Sequence, residues 1–222
     1  MVEALAHLFK IGAVFNICRQ RILIRHSRNG TKLFKSSITG CIFRWNQSHL
    51  ETYKTIQTKL DVREFSPNKV PPEVKLRVLE AARATGTGIN KQHWRFVLVQ
   101  DRETIKKLAE DSTSGSWVAG ANFAVIILTD PLLGFHLIDA GRAAQDMQLA
   151  AWDQGVISGL YTGVKDDRMR KDFAIPGNLK PSIVVGFGYP VKKIVGKKNR
   201  MPLTELAFLD KYGNKFDPKK LS

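Results

Sequence analysis

The apolar run Phe123–Thr129 (FAVIILT) is the feature that most restricts what this chain can fold into. It carries no charged side chain, and it is far shorter than the roughly 18 residues that a membrane-spanning helix needs. A strand with one solvated face would alternate apolar and polar residues, and this run does not. It therefore predicts a central strand that is covered by other structure on both faces.

Helical and strand patterns alternate regularly from residue 49 onward. The spacing of Leu50, Tyr53, Ile56 and Leu60 predicts a first helix. Pro71 and Pro72 suit the first turn of a second, which directs Val74, Val78, Leu79 and Ala82 toward the core. Further helices are predicted over 102–110, 135–154 and 166–173, and further strands over 95–99, 155–161 and 182–188. The 135–154 helix is rich in Ala and Gly, so we expect it to be either deeply buried or at a subunit interface.

The net charge of +15 is concentrated near the start of the chain. Residues 1–50 hold eight Lys or Arg against one acid, Glu3, which gives +7 and leaves +8 for the other 172 residues. Such a segment is typical of a targeting presequence, of a basic arm that contacts nucleic acid, or of sequence translated upstream of the functional start. We favour the third interpretation. The expected organisation is an extension over 1–48 outside the fold, one domain over 49–210 and a tail over 211–222.

Several kinds of active site are excluded by the sequence. There is no P-loop, and Gly86-Thr87-Gly88 does not complete a dinucleotide-binding fingerprint, since Lys91 stands at its last position. There is no Gly-x-Ser-x-Gly elbow, and the five histidines show no metal-ligand spacing. The two cysteines, Cys18 and Cys41, form no disulfide framework, so a reducing compartment, the cytoplasm, is expected.

The remaining candidate chemistry is a basic site for a phosphorylated cofactor. The segment Thr85–Phe96 joins a glycine-rich polar turn to a predicted strand. Lys59 and Arg63 stand four residues apart at a predicted helix end, so both side chains can reach one anion. Arg200 adds a planar fork that can bind phosphate through two hydrogen bonds. Taken singly, each cluster is more typical of a solvated charged surface, and the turn is typical of an ordinary helix-to-strand connection.

Taken in order along the chain, these segments resemble the flavin-dependent nitroreductase family. The family's opening motif, Arg-Arg-Ser-x-Arg-x-Phe, is similar to Lys59–Phe65, and its second, Ala-Pro-Ser-Gly-x-Asn-x-Gln-Pro-Trp, is similar to Thr85–Trp94. The later resemblances are Asp139, Gln145 and Leu149 in the central helix, Gly155–Gly163 beside the flavin, the turn Gly188–Pro190, and the closing basic motif Lys198–Leu203. The resemblance covers about residues 50 to 210.

The resemblance implies an α+β fold, with a central, mostly antiparallel sheet flanked by helices, that forms an intertwined homodimer. It implies FMN at the subunit interface and hydride transfer from NADH or NADPH, by a ping-pong scheme, to a nitroaromatic, a quinone or a similar small acceptor. Two alternatives stay open. One is a specialised flavin branch, similar to dimethylbenzimidazole synthase or linked to a deazaflavin donor. The other is a flavin-free basic protein that binds nucleic acid.

The resemblance also implies roles for individual residues. Lys59, Asp61, Arg63, Lys198 and Arg200 would surround the phosphate and ribityl chain, Asn90 and Gln92 would lie near the flavin, and the backbone of Thr162 and Gly163 would face its N5 edge. Asp61 stands where the family has Ser, and its carboxylate repels phosphate unless it turns toward a cation. His93 replaces a family Pro, so it is either a structural residue or a catalytic one. No metal site is implied.

Overall fold

A computed structural model of the protein describes residues 52–221. The predicted extension over 1–48, both cysteines, and His49 and Leu50 at the start of the predicted first helix lie outside the described residues. None of the helices in the described range is both long enough and apolar enough to cross a membrane.

The core of the fold is a four-stranded antiparallel sheet. Its strands are β1 (Arg95–Val99), β2 (Phe123–Thr129), β3 (Ile157–Tyr161) and β4 (Lys180–Gly188), in the spatial order β1-β2-β4-β3. All seven residues of β2 are buried, and β2 lies between β1 and β4. The prediction of a central strand from this apolar run is confirmed.

Within residues 52–221, six helices and three short 3-10 turns precede, connect or follow these strands. The helices are α1 (Thr52–Thr58), α2 (Pro72–Ala84), α3 (Arg102–Glu110), α4 (His136–Asp153), α5 (Asp166–Asp172) and α6 (Leu203–Leu206). The 3-10 turns are Gly88–Asn90, Ser116–Gly120 and Pro218–Lys220. Helix α3 begins where predicted because the Asp101 side chain accepts a hydrogen bond from the Thr104 N–H, which caps its first turn. The other predicted bounds agree within two residues.

Helices cover both faces of the sheet. On one face, α2 and α4 pack against Phe123 and Phe187, whose rings stack with centroids 4.7 Å apart. On the other, α3, α5 and the turn Ser116–Gly120 pack against Ile126 and Val184. The architecture is therefore α+β, with a buried antiparallel sheet between two helical layers, as the sequence predicts.

The surroundings of α4 and α1 complete the fold. Ala140, Ala143, Ala144 and Ala151 of α4 are buried with α2, so their small size serves packing within the chain, while Gly141 lies on the exposed side. In α1 the buried residue is Thr55, whereas Tyr53 is 63% exposed and Ile56 43% exposed. The apolar spacing in α1 thus predicts the helix correctly, but these two side chains do not enter the core of their own chain.

Candidate functional site

The segment Lys59–Phe65 lies beyond the end of the first helix. Helix α1 ends at Thr58, and the following residues are extended: Asp61 forms a parallel bridge to Ser158 of β3, and Phe65 an antiparallel bridge to Pro190. The N–H of Val62 donates to the carbonyl of Ser158 at 3.0 Å. The expectation that Lys59 and Arg63 share a helix end is therefore wrong. Lys59 directly follows the helix, and its N–H donates to the Thr55 carbonyl, whereas Arg63 lies between the two bridges of the segment beyond it.

Asp61 is the centre of a polar network. Its Oδ1 accepts hydrogen bonds from Lys59 Nζ at 2.8 Å and from Gln148 Nε2 at 2.9 Å. Gln148 Nε2 also donates to Ser158 Oγ at 3.1 Å. Partial burial acts to raise the pKa of Asp61, but the hydrogen bonds from Lys59 and Gln148 outweigh it and hold this pKa below its usual value. The carboxylate is thus ionised and turned toward a cation.

Lys198 and Arg200 come to the same place from the far end of the chain. Lys198 Nζ donates a hydrogen bond to the carbonyl of Ile56, in α1. Burial, followed by the charges of Arg200 and Lys59, lowers the pKa of Lys198, and the charge of Asp61 partly offsets this. Lys59, Arg63, Lys198 and Arg200 are called the basic cluster below. Lys59, Arg63 and Lys198 interact with the carboxylate of Asp61, and Arg200 interacts with Lys198.

Arg63 contributes to the basic cluster from above an aromatic ring. Its guanidinium carbon lies 5.3 Å from the centroid of the Trp117 ring. Its stem crosses β3 at Gly159, where an added Cβ would lie 2.9 Å from Arg63 Cγ. Within the range 52–221, no hydrogen bond or ion pair engages the guanidinium. Arg63 therefore presents its N–H donors to whatever ligand enters here, and its charge helps to lower the pKa of Asp61.

The segment Thr85–Phe96 is anchored to the start of α4. The N–H of Gly88 donates to both carboxylate oxygens of Asp139, at 3.2 and 3.0 Å. Beyond this anchor, Ile89, Asn90 and Gln92 all have positive φ angles, of 44°, 55° and 46°. Residues other than glycine rarely adopt this backbone conformation, and where they do, it is often at a functional site. The exposed side chains of Asn90 and Gln92 bond to each other at 3.3 Å.

His93 is held inside this turn. Its Nε2 is 3.1 Å from Asp139 Oδ2, and its Nδ1 accepts the Asp130 N–H at 3.3 Å, so the proton belongs on Nε2. Its side chain is 5% exposed. With both ring nitrogens engaged by the protein, His93 has no free nitrogen for a ligand, and this geometry favours its structural role over the catalytic one.

Thr162 and Gly163 follow directly after β3. The Gly163 carbonyl accepts a hydrogen bond from the Thr113 N–H at 2.9 Å, and Ser112 bridges Val164. A Cβ at Gly163 would lie 2.3 Å from Thr113 Oγ1, so any other residue here would have to displace this hydroxyl. Thr162 is exposed. The two residues form a tight backbone corner at the end of the strand that Arg63 crosses.

The predicted site residues thus form two groups. Asp61, Arg63 and the Thr162–Gly163 corner lie along β3, Lys198 joins them from beside α1, and the network of Asp61 reaches α4 at Gln148. The Asn90–Gln92 turn is tied to α4 at Asp139. Nine residues separate Asp139 from Gln148 in the helix, which is about 13 Å of rise. The bonds that fix each group are therefore well separated within one chain.

Three residues of the site are not singled out by any of the sequence motifs. Gln148 is buried among the alanines of α4, and a lone amide on an apolar helix face is the signal that would have found it. Ser158 and Trp117 carry no such signal, because their roles depend on contacts with Asp61, Gln148 and Arg63 from distant segments. In the described residues, no cluster of His, Cys, Asp and Glu is suited to holding a metal ion.

The family model and the relatives that match this chain all belong to the nitroreductases. The model of the Nitroreductase family matches residues 56–134 and 116–189. A protein of Methanothermobacter thermautotrophicus called "Putative NADH dehydrogenase/NAD(P)H nitroreductase" is 30% identical over 154 residues, covering 65% of this chain and 80% of its own. A protein of Archaeoglobus fulgidus with the same name is 32% identical over 150 residues, covering 63% and 86%.

Solved structures agree with these relatives. The crystal structure of a nitroreductase family protein from Clostridium difficile 630 superposes with a TM-score of 0.65 at 26% identity, covering 73% of this chain and 99% of that one. The fold built from β1–β4 and their helices is therefore that of these relatives.

Proposed function

Because the chain belongs to the nitroreductase family, a family of oxidoreductases, we propose that it is an FMN-dependent enzyme that takes hydride from NADH or NADPH and reduces a nitroaromatic, a quinone or a similar small acceptor. The observation that carries the proposal is the convergence of Arg63, Lys198 and Arg200 on one place from opposite ends of the chain. Such an excess of cations favours a phosphorylated ligand. The names of the archaeal relatives support the nicotinamide donor, and one structural neighbour is described as FMN-dependent.

The donor groups suit FMN in their arrangement as well as in their charge. Arg63, Lys198 and Arg200 would hold the phosphate, while Lys59, already paired with Asp61, would contribute through its charge. The backbone corner at Thr162 and Gly163 lies four residues beyond Gly159, where Arg63 crosses β3, or about 13 Å along an extended chain. An elongated ligand with a phosphate at one end and a ring at the other fits this spacing.

We further propose that each site is completed by a second copy of the chain in a homodimer. Four apolar side chains on α1 and α4 are exposed: Tyr53, Ile56, Leu137 and Ile138. Their burial against a second copy would remove apolar surface from water. The Asn90–Gln92 turn, which lies apart from the basic cluster in its own chain, would then approach the cluster of the other chain, so that each flavin contacts both subunits.

In this proposal the protein binds and orients the flavin, and the flavin carries out the reaction. Bound FMN would supply the chemistry of accepting hydride from the nicotinamide and passing it to the acceptor. The basic cluster anchors the phosphate, the Thr162–Gly163 corner fixes the edge of the ring, and the amides of Asn90 and Gln92 offer hydrogen bonds to its polar atoms. None of these side chains has to exchange a proton. His93, whose two ring nitrogens are bonded to Asp139 and Asp130, is likewise not needed for proton transfer.

The purified full chain tests the proposal directly. We expect it to bind FMN with the visible absorbance of a flavin, to lose that colour when NADH or NADPH is added without oxygen, and to regain it with benzoquinone or a nitrobenzoate. The donor that bleaches faster is the preferred one. Sedimentation should give the mass of a dimer. A colourless protein that rejects added FMN would overturn the proposal, and a bound flavin that neither nicotinamide reduces would replace it with the specialised branch.

A further inference from the structure

Trp117 is the ring on which Arg63 rests, and it is not one of the residues that the family resemblance assigns. The ring belongs to the 3-10 turn Ser116–Gly120, between α3 and β2. The Arg63 guanidinium carbon lies 5.3 Å from its centroid. Tyr161 meets it edge-on, with centroids 5.9 Å apart and an interplanar angle of 88°, and Phe65 lies at 6.2 Å. The ring is thus packed from several sides.

Two glycines make the slot that holds this ring. Gly159 of β3 and Gly186 of β4 are direct partners across the sheet. A Cβ at Gly159 would lie 3.0 Å from Trp117 Cη2, and a Cβ at Gly186 would lie 3.0 Å from Trp117 Cζ3. Either contact is tighter than normal packing, so a side chain at either position would force the indole to shift by a few tenths of an ångström. Their pairing leaves a gap in the sheet surface that the outer edge of the indole occupies.

The unpaired indole N–H indicates that the position of the Trp117 ring is determined by a contact to its π face. Trp117 Nε1 is buried and has no hydrogen-bond partner in the described part of the chain. A buried tryptophan normally finds an acceptor for this N–H, because leaving it unpaired costs free energy. The ring is held in the slot despite that cost. What it gains is the contact between its π face and the guanidinium of Arg63.

We propose that Trp117 is a positioning residue that fixes Arg63 for the phosphate of the cofactor, an inference that rests on the proposed function. A guanidinium that lies over a ring keeps all its N–H donors on its edge. Because no protein group in the described range accepts from Arg63, those donors are free for phosphate. Trp117 thereby reduces the conformational freedom that Arg63 must lose when the ligand binds.

A double-mutant cycle on the affinity for FMN tests this inference in the full chain. Arg63→Ala should weaken FMN binding. Trp117→Leu should weaken it by about twofold to thirtyfold, the range of a cation–π contact. Because Trp117 acts through Arg63, adding Trp117→Leu to Arg63→Ala should cost no further affinity. Trp117→Phe, which keeps a smaller aromatic face, should restore part of the loss, and it serves where Trp117→Leu fails to fold.

Riboflavin, which lacks the phosphate, separates positioning from packing. Trp117→Leu should leave riboflavin affinity unchanged, whereas a merely structural loss would weaken both ligands equally. Trp94→Leu is the matched control, because Trp94 is buried in the opposite core, against Phe96, and does not contact Arg63. Additive effects in the cycle, or equal loss of riboflavin, would overturn the role of Trp117 alone. A wild-type chain that binds neither flavin would instead overturn the proposed function.

Discussion

Lys59 donates a hydrogen bond from its ammonium group to the Asp61 carboxylate at 2.8 Å, and this pair stands where the related motif has Arg and Ser. The side chain of Lys59 is 7% exposed, whereas that of Asp61 is 56% exposed. The pair therefore consists of a buried cation that is neutralised by a carboxylate at the edge of the proposed phosphate site. Of the four cations in the basic cluster, three remain to attract an anion.

Asp61→Ser should strengthen FMN binding and weaken the fold. Removal of the carboxylate takes away a repulsion worth roughly 1 kcal/mol at short range in water, or about a fivefold gain in affinity. The gain should shrink as salt is added, because salt screens exposed charges. The same change takes the carboxylate acceptor from Lys59 and leaves Gln148 Nε2 with Ser158 Oγ alone, so the free energy of unfolding should fall. Titration of FMN at two salt concentrations checks the first effect, and weaker binding would contradict it.

Arg200→Ala should release FMN without unfolding the protein. Its guanidinium is exposed, and its one hydrogen bond to residues 52–221 goes to the neighbouring carbonyl of Asn199, at 2.9 Å. If it binds the phosphate, the loss should be about 1.5–3 kcal/mol of FMN binding energy. Lys219→Ala, which also removes an exposed cation but near the end of the chain, is the control. Unchanged FMN affinity in Arg200→Ala would remove this residue from the site.

FMN affinity should fall at alkaline pH because of Lys198. Burial and neighbouring cations lower its pKa below the ordinary 10.5 in the free protein, and a bound phosphate would raise it again by stabilising the ammonium. Binding is therefore complete below the free-state pKa and weakens as the pH rises through it. Lys198→Arg keeps the charge throughout and should abolish this dependence. Titrations across the alkaline range compare the two proteins, and parallel profiles would refute the assignment.

Removal of the Asp139 carboxylate should lower the stability of the fold. Asp139→Ala leaves the Gly88 N–H and the buried His93 ring without their acceptor, and it also removes the longer ion pair with Arg142 at 3.8 Å. We expect the free energy of unfolding to fall by about 3 kcal/mol, measured by chemical denaturation. Asp146→Ala, which removes a carboxylate from a less buried position on the same helix, should cost less. Equal losses would show that the Gly88 and His93 bonds contribute little.

Much of the fold was predictable because it depends on local patterns. The continuous apolar run gives β2, and the capping Asp101 gives α3, since both signals lie within a few residues of the element they specify. The buried face of α1 was not predictable, because Tyr53 and Ile56 have the apolar spacing of a core helix and yet stay exposed in the chain.

The site also combines features that local sequence predicts with contacts between distant segments. The ordered motifs place Lys59, Arg63, Lys198 and Arg200 in one cluster, but the partners that orient them come from distant segments. Gln148 reaches Asp61 across 87 positions in the sequence, and the ring under Arg63 fits only because two glycines face each other across β3 and β4. Such contacts depend on register and strand order, which no single segment encodes.

Deletion of residues 1–48 should leave flavin binding, activity and the free energy of unfolding unchanged. The match to the family begins at residue 56, and every element that builds the sheet and the proposed site lies in 52–221. A deletion through residue 60 is the control. It removes α1 together with Lys59, which deprives Asp61 of its cation and Lys198 of the Ile56 carbonyl. We expect that longer deletion to lose FMN and unfold more easily. Loss of FMN or of the dimer on removal of 1–48 alone would show that this segment belongs to the working domain.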